Sequence, residues 1–237
     1  MQSLSGKVAV ITGAAGNLGR AVAHAFAAQG ASLALVDRGE ETLVEVQAGL
    51  PEGSDSGVFV ADLLNAEAVA DLAGQIHERF GRVDILANIA GGFTMGPPLH
   101  ETSDKDWDFM LDLNARSVFH TCRALIPAML RRGGGRIINI SARAASEGKA
   151  NMIPYCASKA AVITLTEGLA AELKDAGINV NCVLPGTLDT PQNREAMADQ
   201  DFSRWVPTAA LADVILFLAA EGSRCVTGAA IPVYGRS

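Results

Sequence analysis

The sequence predicts a single α/β domain in which a parallel sheet of about seven strands is covered by helices on both faces. Three observations carry that expectation. Short β-branched runs alternate with longer stretches of helical period along the whole chain. The strand-like runs are nearly continuously apolar, as in strands buried on both sides. No linker, repeat or low-complexity segment divides residues 1–237, so the chain reads as one domain.

The first strand is Val8-Ala9-Val10-Ile11, and a glycine-rich turn leads from it into a helix near 17–29. Ser32 to Val36 forms the second strand, followed by a helix near 39–49; Gly57 to Val60 forms the third, followed by a helix near 65–80. After a fourth strand at Val83 to Ala87 comes one long helix over 103–131. Ser103 with Asp106 reads as its N-terminal cap, and Pro127 predicts a kink near its end. Arg136 to Ile140 is the fifth strand. The helix at 155–175 carries the apolar stripe Val162, Leu165, Leu169 and Leu173. Ile178 to Val183 is the sixth strand, and a helix near 208–220 precedes the last. That last run, Ala230 to Val233, belongs at a sheet edge because Pro232 cannot donate to a central ladder.

With 237 residues, 49% of them apolar and 19% charged, the chain buries a sizeable core and is not disordered. A net charge of −7 argues against nucleic acid or an anionic membrane as the main partner. The longest uncharged runs, Ala21 to Val36 and Ile85 to His100, both contain His, and the second holds Gly-Gly and Pro-Pro, so neither reads as a membrane span. No basic stretch followed by an apolar run marks a secretory signal at the start. Cys122, Cys156, Cys182 and Cys225 lie far apart and read as four buried, reduced thiols of a cytoplasmic protein. His24, His77, His100 and His120 form no metal-ligand spacing, and no metal is expected. Nor is there a Gly-x-Ser-x-Gly elbow or a Gly-Lys-Ser/Thr phosphate loop.

The chemistry signal begins at Thr12-Gly13-Ala14-Ala15-Gly16-Asn17-Leu18-Gly19. Small residues between a strand and a helix let the backbone approach a pyrophosphate, whose charge is favoured at the helix N-terminus. The spacing is Gly-x-x-Gly-x-x-Gly, and taken alone it also fits a tight bend with no ligand. Asp37 changes that weighting: it ends the second strand, where an acidic side chain meets the adenosine ribose. A carboxylate accepts from a 2′-hydroxyl and repels a 2′-phosphate, which favours NAD. Arg38 partly offsets the repulsion and keeps NADP possible. Tyr155 and Lys159, spaced i, i+4, share a helix face. An ammonium there favours the phenolate, making Tyr155 a general acid/base and Lys159 the group that lowers its pKa.

These residues resemble the short-chain dehydrogenases/reductases. The resemblance runs from Thr12-Gly13 through Asn88-Ile89-Ala90-Gly91 and Tyr155-Cys156-Ala157-Ser158-Lys159 to Pro185-Gly186. It implies a doubly wound, Rossmann-type domain that binds a nicotinamide cofactor, acts on a small molecule and forms a homodimer or homotetramer. By position it implies that Asp62 and Leu63 flank the adenine, and that Asn88, Ala90 and Gly91 line the cofactor. It further implies that Asn114 holds a water of the proton relay and that Lys159 also bonds the nicotinamide ribose. Pro185 and Gly186, with Thr187 and Leu188, are implied to border the nicotinamide.

Three departures matter. The family's turn reads Thr-Gly-x-x-x-Gly-x-Gly, whereas position 17 is Asn17 and the glycine stands at Gly16; Asn tolerates unusual backbone angles, so binding survives. The family's second Asn of Asn-Asn-Ala-Gly is Ile89. The family's catalytic serine falls on Ala142; Ser141 precedes it and points the other way if this is a strand end. Either the loop presents Ser141, or catalysis proceeds without that hydroxyl. Quinonoid dihydropteridine reductases share an alanine there, and the chain is similar to them again at Ala90-Gly91-Gly92-Phe93 and Leu188 to Arg194. A conjugated C=N substrate delocalises the charge that a serine otherwise stabilises, so carbonyl and dihydropteridine-like substrates both stand. An NAD-binding sensor with weak or lost catalysis is the alternative from another class. Phe93, Met95, Leu188, Met197, Phe202 and Trp205 lie on segments following strands, where a substrate pocket forms, or else are core under a loop.

Overall fold

In the computed structural model, which describes residues 3–236, the sheet is built first from β1 (Val8–Thr12), β2 (Ser32–Asp37) and β3 (Ser56–Val60). Domain bounds drawn at residues 1 and 237 therefore lie outside the described residues. Helices α1 (Asn17–Ala28), α2 (Glu40–Ala48) and α3 (Ala66–Phe80) follow these strands in turn. The second half adds β4 (Ile85–Asn88), α4 (Asp104–Leu111), α5 (Ser117–Arg132), β5 (Gly135–Ile140), α6 (Ile153–Leu173) and β6 (Ile178–Pro185). After β6 come β7 (Leu188–Asp189), α7 (Pro191–Ala196), β8 (Val206–Pro207), α8 (Thr208–Ala219) and β9 (Ala230–Val233).

Seven strands pair in parallel in the order β3-β2-β1-β4-β5-β6-β9. The chain reverses its direction of travel between β1 and β4, and ligands of open α/β sheets bind in the crevice at such a switch point. Alternate residues of each strand feed opposite cores. Ala9, Ile11, Leu33 and Leu35 pack with α1, α2 and α8, whereas Val10, Ala34, Val36 and Leu86 pack with α3, α5 and α6. Pro232 does sit on the edge strand, opposite Leu184.

Several boundaries differ from expectation for identifiable reasons. β4 begins at Ile85, although the Asp84 backbone already bonds Val8 and Arg136; the Asp84 carboxylate accepts from the Val8 N–H at 2.9 Å and gathers Arg82 and Arg132 at 2.8 Å each. The single helix expected over 103–131 is interrupted by a π turn at Asp112–Arg116, while α5 runs through Pro127 to Arg132. Ser103 caps α4 as expected, accepting from the Asp106 N–H at 3.1 Å. The inward face of α6 is Val162, Thr166, Ala170 and Leu173. Thr166 is turned in by a bond from Asn139 Nδ2 at 2.9 Å, and Leu165 and Leu169 move to a partly buried margin beside α5. All four thiols are free, but only Cys122 and Cys182 are buried; Cys156 is partly buried and Cys225 exposed. The segment between β6 and α8, expected as a loop, carries the small β7–β8 sheet and α7.

Candidate active site

The glycine turn closes the C-terminal end of β1 against the end of β4. Gly13 has φ +65°, and a Cβ there would lie 2.8 Å from Cα and N of Ala90, so only glycine fits the bend and the contact. Thr12 Oγ1 fastens the two turns together by accepting from the N–H groups of Ile89 and Ala90 at 3.1 and 3.2 Å. Asn17 needs no unusual backbone, contrary to expectation: it is the first residue of α1, and the left-handed residue of the turn is Gly13. Its side chain donates instead to Gln192 Oε1 at 2.8 Å. Gly16 and Asn17 are exposed, whereas Leu18 and Gly19 are buried and Leu18 belongs to the core.

Asp37 ends β2 beside this turn. Its carboxylate accepts from the Ala15 N–H at 3.0 Å and from the Arg38 N–H at 2.8 Å, which fixes an anion at the edge of the crevice. Arg38 is exposed. Asp62 is exposed and caps its own loop at the Leu64 N–H, while Leu63 is buried with its carbonyl 2.8 Å from His120 Nδ1. Asn88 turns its side chain inward: it accepts from Thr121 Oγ1 at 2.7 Å and donates to Asn139 Oδ1 at 2.9 Å. That network anchors the strand end from which Ala90 and Gly91 emerge.

Gly91 is where the segment after β4 meets Asn114 and Lys159. A Cβ on it would lie 2.7 Å from Asn114 Oδ1 and 3.1 Å from Lys159 Nζ. Asn114, in the π turn, accepts from the Gly92 N–H at 3.0 Å and donates to the Gly92 carbonyl and to Ser158 Oγ at 3.1 Å each. Ser158 in turn donates to the Tyr155 carbonyl at 2.8 Å. Sequence reasoning passed over Ser158, although a hydroxyl beside Lys159 in the small-residue run from Ala157 was a visible signal. Lys159 is buried and donates from Nζ to the Ile140 carbonyl at 3.0 Å. Tyr155 is partly buried, its ring edge-on to that of the half-exposed Phe93 at 5.0 Å.

The electrostatics correct one expectation. Burial pushes the Tyr155 phenol up to about 12, with the neighbouring Cys156 thiol acting in the same direction. Burial also brings the Lys159 ammonium down to about 8. The phenol is therefore not acidic here. The ammonium is turned to the Ile140 carbonyl, and desolvation of a phenolate outweighs what spacing alone suggests.

Ser141 is buried and donates to the Lys159 carbonyl at 2.7 Å, so its hydroxyl braces α6 against the end of β5. Ala142 is buried as well. Pro185 ends β6, and the Gly186 N–H bonds the Val233 carbonyl at 2.9 Å. Leu188, in β7, is partly buried against the core. Of the proposed pocket wall, Phe93, Met95 and Met197 are exposed, while Trp205 is buried with its ring tilted against that of Phe202 at 4.8 Å. Among the described residues no group of His, Cys, Asp and Glu is placed to hold a metal, and no helix is long and apolar enough to cross a membrane.

The residues present fit a dinucleotide. A glycine-rich turn opens a helix at the topological switch point, Gly13 lets it close against the end of β4, and an anion stands at the end of β2.

Comparison with known proteins agrees. The family model for short chain dehydrogenase matches residues 7–201. Dehydrogenase/reductase SDR family member 6 of Danio rerio is 37% identical over 99% of this chain and 98% of its own. D-threitol dehydrogenase of Mycolicibacterium smegmatis is 35% identical over 98% of this chain and 93% of its own. The crystal structure of NAD+-bound xylitol dehydrogenase matches with a TM-score of 0.92 at 29% identity, over 98% of this chain and 99% of that one.

Proposed function

The chain belongs to the short-chain dehydrogenase family, and we propose that it is an NAD-preferring oxidoreductase of a small carbonyl/alcohol pair or of a conjugated, dihydropteridine-like C=N bond. The observation that carries this reading is Gly91, against which Asn114 and Lys159 converge one turn of α6 from Tyr155. Thr12, Gly13, Gly16, Asn17 and Gly19 would hold the pyrophosphate, Asp37 the adenosine ribose, and Ala90, Gly91, Pro185, Gly186 and Leu188 the nicotinamide end. When bound, the nicotinamide supplies or accepts the hydride.

The chain's own residues handle the proton. With its phenol raised to about 12, Tyr155 is protonated at neutral pH and acts as the acid of the reductive direction. Lys159, near 8, keeps most of its charge at neutral pH and steadies the phenolate left after proton transfer. Asn114, held on three sides, keeps the Gly92 backbone and the start of α6 in register. Ser141 supports Lys159 rather than the substrate. With Ala142 in place of a hydroxyl donor, the site suits a substrate that spreads its own developing charge.

The preference for NAD over NADP rests on the fixed Asp37 carboxylate. Alcohol and ketone substrates gain support from the threitol and xylitol dehydrogenases. We further propose a cytoplasmic homodimer or homotetramer, for which exposed Phe119 beside Leu165 and Leu169 offers an apolar surface. NADH oxidation with a ketone panel and with quinonoid dihydropterin tests the reading. In Tyr155→Phe, turnover is expected to fall by about 10²–10⁴-fold with NADH affinity nearly unchanged; an unchanged rate refutes the assignment. The second reading, an NAD-binding sensor, is favoured by Ala142 and gains if NADH binds without turnover of any substrate.

A further inference from the structure

The asparagine that replaces the family's glycine has a partner far along the chain. Asn17 opens α1 directly behind the glycine turn, and its Nδ2 donates to Gln192 Oε1 at 2.8 Å across 175 positions of sequence. Gln192 lies in the first turn of α7, a helix with no buried residue. The segment that carries α7 is braced within itself. Thr190 Oγ1 accepts from the Asn193 N–H at 3.2 Å, Asn193 Nδ2 donates to the Leu188 carbonyl at 2.8 Å, and Arg194 grips Asp189 through bonds of 2.6 and 2.8 Å. Its base is fixed by the pairing of β7 with β8 and by buried Trp205 and Val206. The segment is thus a flap braced within itself, with a buried base and an exposed tip, and Asn17 is what the tip touches on α1.

We infer that Asn17 and Gln192 form a latch that holds this flap against the start of α1 and retains the dinucleotide. The inference rests on the cofactor reading proposed above. Asn17 follows Gly16 at the helix N-terminus that receives the pyrophosphate, so a bridge anchored there ties the flap to the rim of the cofactor crevice. The bridge has to open for nucleotide to leave. A hydrogen bond between two exposed neutral side chains is modest, and its loss changes an opening equilibrium by about two- to tenfold.

The test is a double-mutant cycle on NADH release, read by stopped-flow fluorescence for the wild type, Asn17→Gly, Gln192→Met and the double variant. Each single variant is expected to release NADH about two- to tenfold faster, and the double no faster than the quicker single. Unchanged single rates overturn the latch, as do effects that multiply in the double, since each side chain then acts on the nucleotide alone. Hydrogen–deuterium exchange on protein free of cofactor gives a second readout. Amides of residues 190–197 are expected to exchange faster in both single variants, and unchanged exchange overturns the latch. Failure of the wild type to bind NADH refutes the cofactor reading, and the exchange result then reports separately on whether the two side chains hold the flap.

Discussion

Lys159 carries an ammonium into a site only 5% exposed, where burial brings its pKa from 10.5 down to about 8. Lys159→Met removes the charge while keeping most of the volume. In the wild type the folded protein releases this proton near pH 8 and the unfolded chain only near 10.5. Between those values the unfolded state binds more protons, so stability rises with pH. At about pH 7 both states are charged and the folded protein carries the whole cost, about 3 kcal/mol at 1.36 kcal/mol per pKa unit. By about pH 9.5 roughly 2 kcal/mol of that is relieved. The variant has no such contribution. The difference in unfolding free energy between the two proteins is therefore expected to drift by about 2 kcal/mol in favour of the wild type from about pH 7 to about pH 9.5. Urea unfolding of cofactor-free protein at several pH values measures the drift. A difference that stays flat refutes the reasoning, because the ammonium then does not titrate in a desolvated site.

Three further outcomes follow from the geometry. Asp37→Asn keeps an acceptor for the Ala15 N–H but loses the charge, and is expected to weaken NADH binding about tenfold while raising the NADPH/NADH preference, read by titration with both nucleotides. Ser141→Ala removes the bond to the Lys159 carbonyl and should cost about 1 kcal/mol in urea unfolding with only a few-fold loss of turnover; a loss of about a hundredfold would make Ser141 a substrate donor after all. Ala142→Ser is expected to raise kcat/KM on simple ketones by about tenfold or more while leaving a conjugated substrate little changed, and equal effects on both would remove the link between Ala142 and substrate type.

Much of the sheet was legible because its strands are continuous apolar runs and its helices are long. The Gly13 bend was legible because a glycine-rich turn directly follows the first apolar run, and the i, i+4 spacing put Tyr155 and Lys159 on one helix without giving the partner of either side chain. The segment from Leu188 to Pro207 was not, since two-residue strands and a six-residue helix are too short to leave a periodic signature. Nor was the inward turn of Thr166, which depends on Asn139 in the preceding strand. The direction of the Tyr155 shift was misjudged because i, i+4 spacing reports proximity but not depth, and depth decides the sign here. The partner of Ser141 was not legible either, since its hydroxyl meets the carbonyl of Lys159, eighteen residues further along the chain.

The π turn at Asp112–Arg116 lets two neighbouring stretches of helix answer to different demands. Each α-helical residue advances about 100° around the axis, so forcing residues 112–116 into straight α-helix with none removed would swing everything downstream by roughly that angle. Either Asn114 would leave Gly92 and Ser158, or Val118, Cys122, Leu125 and Met129 would rotate out of the hydrophobic interior. The widened turn acts as a phase adjuster between Asn114, which braces Gly92 and Ser158, and the residues that hold the molecule together. The same extra residue placed anywhere else along the rod, without such a widening, would leave the two stretches out of step.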